Sequence, residues 1–290
     1  MALIEGLQSS PEFLLACCLL LGLAVGSFLN VVAHRMPLMM DAQWRAEARE
    51  ILELEAEADA TGISLSKPAS SCPKCQSRIR PWQNIPVLSW LLLRGKCANC
   101  KAPISAQYPL VEACAGVMSA VCAWRFGFGF ELVGALLLTW TLIPLTVIDL
   151  RTQLLPDNLT LPLLWAGLAF NLIGGFTSLE SAVLGAILGY GSFWLIFQLF
   201  RLATGKEGMG FGDFKLLAAL AAWLGAISLP LIILISSIAG AIVGLGLMVS
   251  GRLNRETPMP FGPYLAIAGW IMLIWGEPLR AIWLGALAPG

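Results

Sequence analysis

The sequence runs to 290 residues, 58% hydrophobic and 12% charged, with 18 basic and 18 acidic side chains. So apolar a composition excludes an ordinary soluble domain. A net charge of zero argues against a nucleic-acid partner.

Met1 to Glu12 contains no lysine or arginine, so no removable signal peptide is expected. The first apolar run follows at Phe13 to Ala33. Seven more fall at Leu110 to Trp124, Leu132 to Ile148, Leu159 to Phe176, Ala182 to Leu202, Phe214 to Leu229, Pro230 to Val249 and Pro263 to Leu284. Lipid satisfies no backbone polar group, so segments of this kind cross it as helices. The expected fold is an all-α polytopic membrane protein with about eight transmembrane helices. The second and sixth runs are short. Domain 1-33 holds the first span, 34-108 is a cytoplasmic domain, and 109-290 is a seven-helix membrane domain.

Basic residues set the orientation. With spans alternating, Arg35, Arg45, Arg49, Lys67, Lys74, Arg78, Arg80, Arg94, Lys96, Lys101, Arg151, Arg201, Lys206, Lys215, Arg252 and Arg255 share one side. That is 16 of the 18, leaving Arg125 and Arg280. This side is expected to be cytoplasmic.

In the long first link, Asp41 to Ala60 is charged and alanine-rich and reads as a solvated surface helix, and Thr61 to Ser71 as loop. Beyond it come Cys72-Pro73-Lys74-Cys75 and Cys97-Ala98-Asn99-Cys100, with 21 residues between the pairs. Two such knuckles suit tetrahedral zinc, in a zinc-ribbon-like insertion where the metal is structural. Unmetallated thiols and a redox CxxC are the alternatives. Cys17, Cys18, Cys114 and Cys122 lie in apolar runs and read as small buried hydrophobes.

Two carboxylates stand out. Asp149 ends one apolar run, just before Leu150-Arg151-Thr152-Gln153. Asp213 opens another, after Gly208, Gly210 and Gly212 in Lys206 to Lys215. Each alone could be a helix cap or a headgroup-solvated side chain. Together, on the same side of the membrane, they suggest a pair, with Gly210 and Gly212 leaving a substrate room. Paired carboxylates cannot both ionise cheaply, so one acts as base while the other donates. His34 is the only histidine, which leaves Ser-His-Asp hydrolysis and HExxH metalloproteolysis without parts. The residues alone thus reach an intramembrane-type aspartic protease. A transporter or channel with a zinc-stabilised cytoplasmic cap, and a non-catalytic assembly factor docking through its zinc module, are the other readings.

Gly210-Phe211-Gly212-Asp213 resembles the GxGD signature of membrane aspartyl proteases. The fuller set is similar to the bacterial type IV prepilin peptidases, the bifunctional leader peptidases and N-methyltransferases. It comprises Gly26-Ser27-Phe28-Leu29-Asn30, His34-Arg35-Met36-Pro37, the two CxxC pairs, and Tyr108-Pro109-Leu110-Val111-Glu112. It continues with Ile148-Asp149, Leu154-Leu155-Pro156-Asp157, Gly208 to Lys215 and Pro260-Phe261-Gly262-Pro263. The resemblance implies a multi-pass enzyme of the bacterial inner membrane, surrounded by lipid. Its substrates would be type IV prepilins and type II secretion pseudopilins, cut at the cytoplasmic face after the glycine that ends a short basic leader. It would then methylate the new N-terminal residue with S-adenosylmethionine. Asp149 and Asp213 match the family's catalytic aspartates, and Cys72, Cys75, Cys97 and Cys100 its zinc ligands. For the cofactor, position and resemblance suggest Gly26, Asn30, Arg35, Gly95, Lys96 and Glu112. Asp157 is expected to cap the helix beginning near Leu159.

Overall fold

A computed structural model describes residues 2–54, 62–206, 208–251 and 259–287. Glu207, Arg252, Arg255 and the end of the expected surface helix at 55–60 lie outside the described residues. Regular structure among the described residues is helical throughout, in two compact units, Met1–Phe128 and Gly129–Gly290.

The first unit holds α1 (Ala2–Ser9), α2 (Pro11–Ile51), a 3₁₀ turn (Pro81–Asn84), α3 (Leu88–Leu92) and α4 (Gln107–Phe126). Ser10 starts α2 by accepting the Phe13 N–H at 3.3 Å, and Pro11 occupies a position whose N–H would go unused. The sequence suggests a span and then a separate surface helix. Instead one helix of 41 residues runs through Pro37, because the residues flanking it, Met36, Leu38, Met39 and Met40, all favour helix. α2 and α4 pack antiparallel along a seam of small residues. A Cβ on Gly26 would fall 2.7 Å from Glu112 Cα, and one on Gly116 would fall 2.9 Å from Leu23 Cγ. Only glycine admits that approach.

The second unit holds α5 (Phe130–Thr152), α6 (Asp157–Leu172), α7 (Leu179–Thr204), α8 (Phe211–Leu224), α9 (Leu229–Val249) and α10 (Gly262–Leu287). α8 is its centre: every residue from Asp213 to Leu224 is buried except Lys215. Ala218 and Ala221 let α7 approach so closely that Cβ atoms on Gly189 and Gly185 would meet α8 backbone at 3.1 and 2.7 Å. α6 grips the other end. Asn171 donates to the Ala222 and Trp223 carbonyls at 2.8 and 3.1 Å, and Trp223 Nε1 donates to the Leu163 carbonyl at 2.8 Å. These bonds satisfy carbonyls that a helix end otherwise leaves free. α10 kinks at Trp275 (φ −118°, ψ 19°), where Pro278 clashes with the carbonyl of Ile274.

Six helices are long and apolar enough to cross a membrane: α2, α4, α5, α7, the stretch 226–249 containing α9, and α10. The expected runs Leu159 to Phe176 and Phe214 to Leu229 form α6 and α8, of 16 and 14 residues. At ~1.5 Å per residue α8 is only about 21 Å long, short of a ~30 Å hydrocarbon core.

Candidate active site

α5 ends where Gln153 turns left-handed (φ 54°) and its N–H closes on the Asp149 carbonyl at 2.9 Å. That turn leaves the Asp149 side chain on the last turn of α5, buried, facing the start of α10. Its Oδ2 accepts the main-chain N–H of Gly262 at 2.9 Å. A carboxylate is unfavourable at a helix C-terminus, and here the N-terminus of another helix compensates it. Asp213 is the third residue of α8, after Gly210 at the cap position, and its N–H reaches the Gly210 carbonyl at 3.2 Å. Its carboxyl is also buried, and it lies close enough for the charge of Asp149 to act on it. The fold therefore brings the two aspartates together, each at the positive end of a helix.

Their surroundings are tight where glycines meet Leu155. A Cβ on Gly262 would lie 2.7 Å from Asp149 Oδ2 and 3.1 Å from Leu155 Cδ2, and one on Gly212 would lie 2.8 Å from Leu155 Cβ. Among the described residues nothing comes within 4 Å of a Cβ placed on Gly210. An aromatic cluster backs α8: Phe211 and Phe214 meet at a tilt with centroids 5.2 Å apart, and Phe197 meets them at 5.3 and 5.8 Å. Asp157 makes no capping bond to α6. The expectation that it caps that helix is corrected: its two oxygens take Lys215 Nζ, both at 2.7 Å, because α6 begins on α8 within reach of a lysine. Sequence reading gave no role to Gly262, Leu155 or Lys215. The Pro260 to Pro263 stretch was the available signal for Gly262.

Cys72, Cys75, Cys97 and Cys100 place one sulfur each within 4.8 Å of all the others. The two knuckles repeat one local fold. Gln76 and Lys101, each just after its second cysteine, are left-handed (φ 57° and 60°). Their N–H groups bond to the Cys72 and Cys97 carbonyls at 2.9 and 3.1 Å. Isolated antiparallel bridges, Ser71 with Arg78 and Lys96 with Pro103, close the knuckles. The Ser77 hydroxyl, the Ser77 amide and then Asn99 lower the Cys75 thiol to about 5, and amides of Cys100 and Asn99 lower that of Cys97. At Cys100 the Ala102 amide pulls downward, but desolvation and the facing thiols outweigh it and leave about 11. Four soft donors within reach of one another, the Cys75 and Cys97 thiols both lowered by the hydrogen bonds around them, fit zinc.

The six suggested cofactor residues all belong to the first unit. Gly26, Asn30 and Glu112 share the α2–α4 seam. Asn30 Nδ2 donates to the Gly26 and Tyr108 carbonyls at 3.3 and 3.0 Å, which fixes its amide orientation, and its buried Oδ1 has no hydrogen-bond partner among the described residues. Glu112 Oε2 accepts the N–H of Val87 at 2.7 Å, holding Val87 at φ 60°. Arg35 binds the carbonyls of Ser64, Leu65 and Pro68 at 2.9, 3.4 and 2.6 Å and so tethers that loop to α2. Gly95 (φ 66°) packs under Trp90, and Lys96 is exposed on the second knuckle.

Residues 20–126 match the Bacterial Peptidase A24 N-terminal domain, and residues 136–245 match the Type IV leader peptidase family. The chain is 53% identical to a prepilin leader peptidase/N-methyltransferase of Stutzerimonas stutzeri, over 97% of both chains. Proteins of the same name from Pseudomonas aeruginosa and Neisseria gonorrhoeae are 53% and 50% identical, over 98% and 93% of both chains. No solved structure matches.

Proposed function

The chain belongs to the type IV leader peptidase family, and on that premise we propose that it removes the leader from prepilins and then methylates the exposed N-terminus. The observation that carries the peptidase half is the pairing of Asp149 with Asp213 at the ends of α5 and α8. A buried carboxylate pair shares one proton. The charged member takes a proton from water as the water attacks the scissile carbonyl, and the neutral member donates to the carbonyl oxygen. Collapse of the tetrahedral adduct returns a proton to the leaving amine, so no covalent enzyme intermediate is needed. Gly262 N–H orients Asp149 throughout.

The site belongs on the cytoplasmic side of the bacterial inner membrane, where the excess of lysine and arginine in the links directs it. Residues 1-33 then form the first membrane segment, 34-108 the cytoplasmic portion, and 109-290 the peptidase portion. Pseudopilins of type II secretion are substrates on the same footing as prepilins. Cys72, Cys75, Cys97 and Cys100 would hold zinc, which would fold the small ribbon and serve a structural role. For methylation, the buried Oδ1 of Asn30, without a partner among the described residues, and the carboxylate of Glu112 are acceptors that fit donor groups of S-adenosylmethionine, which supplies the methyl group. Gly26 keeps α2 and α4 close enough to hold those two side chains in register.

A transporter would need its carboxylates near the bilayer midplane. Asp149 and Asp213 lie in terminal turns, which favours proteolysis. The test is a digest of a prepilin by the lipid-embedded protein, read by intact mass with and without S-adenosylmethionine. Wild type should remove the leader and, with the cofactor, add one methyl group. Folded Asp149→Asn and Asp213→Asn proteins should leave the substrate whole; cleavage by either sinks the dyad.

A further inference from the structure

α3 turns its leucines outward. Leu88, Leu91 and Leu92, spaced to share one face, are 50%, 57% and 74% exposed. Trp90 points inward and donates its Nε1–H to the Ile104 carbonyl at 3.2 Å. Trp82, in the 3₁₀ turn just before α3, is 60% exposed, and the Arg80 guanidinium lies 5.3 Å from its ring centre. Ile79 and Ile85 are exposed as well. Large apolar side chains so close in sequence and left in the open mark an interaction surface.

The charge around this face has one sign. From Gly62 to Val111 the sequence contains no aspartate or glutamate, and its seven lysines and arginines are all exposed. Arg78, Arg80, Arg94 and Lys96 flank the apolar face directly in sequence. Apolar side chains flanked by cations alone fit a bilayer surface that carries anionic headgroups. The leucines enter the boundary between headgroups and chains, and the cations take lipid phosphates. Tryptophan settles at that same depth.

The face is also held at the right height. Val87, which starts α3, donates its N–H to Glu112 Oε2 at 2.7 Å. Just past the other end, the Ile104 N–H bonds to the Gly95 carbonyl at 2.8 Å. Glu112 is the sixth residue of α4, a helix long and apolar enough to cross a membrane. At ~1.5 Å per residue it lies about 8 Å from the first residue of that helix. α3 is thereby fixed beside the first turns of a span, where lipid begins.

We propose that the exposed face of α3, together with Trp82, docks on the anionic lipid surface of the membrane that α4 crosses. This seats the four-cysteine module against the bilayer. The docking rests on α4 being a membrane span and is independent of the peptidase reading.

The test places one copy of the full-length protein in nanodiscs of phosphatidylcholine, alone or mixed with phosphatidylglycerol. Amide hydrogen exchange is then followed by mass spectrometry. Peptides covering 82–93 should exchange at least about five-fold more slowly in the anionic discs, the scale set by a single surface cation. Peptides of α5 and α7 should exchange alike in both. Combining Arg78→Gln, Arg80→Gln and Arg94→Gln should remove the difference, and so should Leu91→Ser with Leu92→Ser. Equal exchange of the wild type in both lipids overturns the proposal, as does a difference that survives either set of changes. A difference seen only with two copies per disc assigns the face to self-association and overturns it too. If the arginine variant does not fold, high salt screens the same charges in the wild-type protein and must remove the difference.

Discussion

The main-chain N–H of Gly262 points at Oδ2 of Asp149, 2.9 Å away and 113 positions distant in sequence. The bond ties the last turn of α5 to the first turn of α10 and gives a buried carboxylate its only hydrogen bond recorded among the described residues. Any side chain at 262 would start 2.7 Å from that oxygen. Gly262→Ala is therefore expected to push Asp149 off its position and lower kcat for leader cleavage by about 10²-fold, the cost of a misplaced reacting group. KM and the thermal midpoint should change little. Equal loss in a variant that has also unfolded, seen by circular dichroism, would assign Gly262 to stability instead.

On the proposed dyad, a proton shared between Asp149 and Asp213 would set the pH profile. Below the lower macroscopic pKa of the pair both carboxyls are neutral and no base remains; above the higher one both are charged and no acid remains. The rate of leader cleavage should fall on both sides of an optimum. Asp→Glu at either position should shift the optimum, whereas a rate flat from the acid side to the alkaline side would exclude a shared proton.

Thiol chemistry tests the ribbon. In protein stripped of metal by a chelator, iodoacetamide at pH 7 should label Cys75 before Cys100. A thiol lowered to about 5 is already thiolate at pH 7, and one raised to about 11 is protonated there. The weaker nucleophilicity of the more acidic thiolate offsets part of the gain and leaves roughly ten-fold. Mass spectrometry of the peptides reads the order, and added zinc should protect all four cysteines. Cys72→Ser should lose the metal, so full zinc content in that variant would remove Cys72 from the set.

The α2–α4 seam is a packing test. Gly26→Val should cost about 1–3 kcal/mol in denaturant unfolding, because its side chain would enter the backbone of α4 at Glu112. It should also lower methylation more than cleavage, since Asn30 and Glu112 lie on the same seam. A stability equal to wild type would show that the helices can part without cost.

Much of this was legible in the sequence where chemistry is local. Cys72, Cys75, Cys97 and Cys100 announce their cluster by spacing, because two knuckles of one residue type have few uses. Asp149 and Asp213 announce themselves by placing carboxylates at the ends of apolar runs. Contacts across long separations left no such mark. Gly262 meets Asp149, and Lys215 meets Asp157, only once the helices have packed. Leu155 looks like any apolar residue before a proline. α8 was the hardest to read, since a run apolar all round marks burial equally well in lipid and inside a bundle. Its 14 residues and buried faces come from the helices around it. The passage of α2 through Pro37 was hidden because the apolar run ends at Ala33 while the helix goes on to Ile51.

That passage has a mechanical result. A helix of 41 residues is about 62 Å long, twice the ~30 Å hydrocarbon layer. Arg35 clips the loop at 64–68 to this same rod. Helical through Pro37 and longer than that layer, α2 answers a thicker or thinner bilayer by leaning or bending, as long spans do. The lean carries the clipped loop with it, so lipid chain length becomes an input to the polar end of this helix.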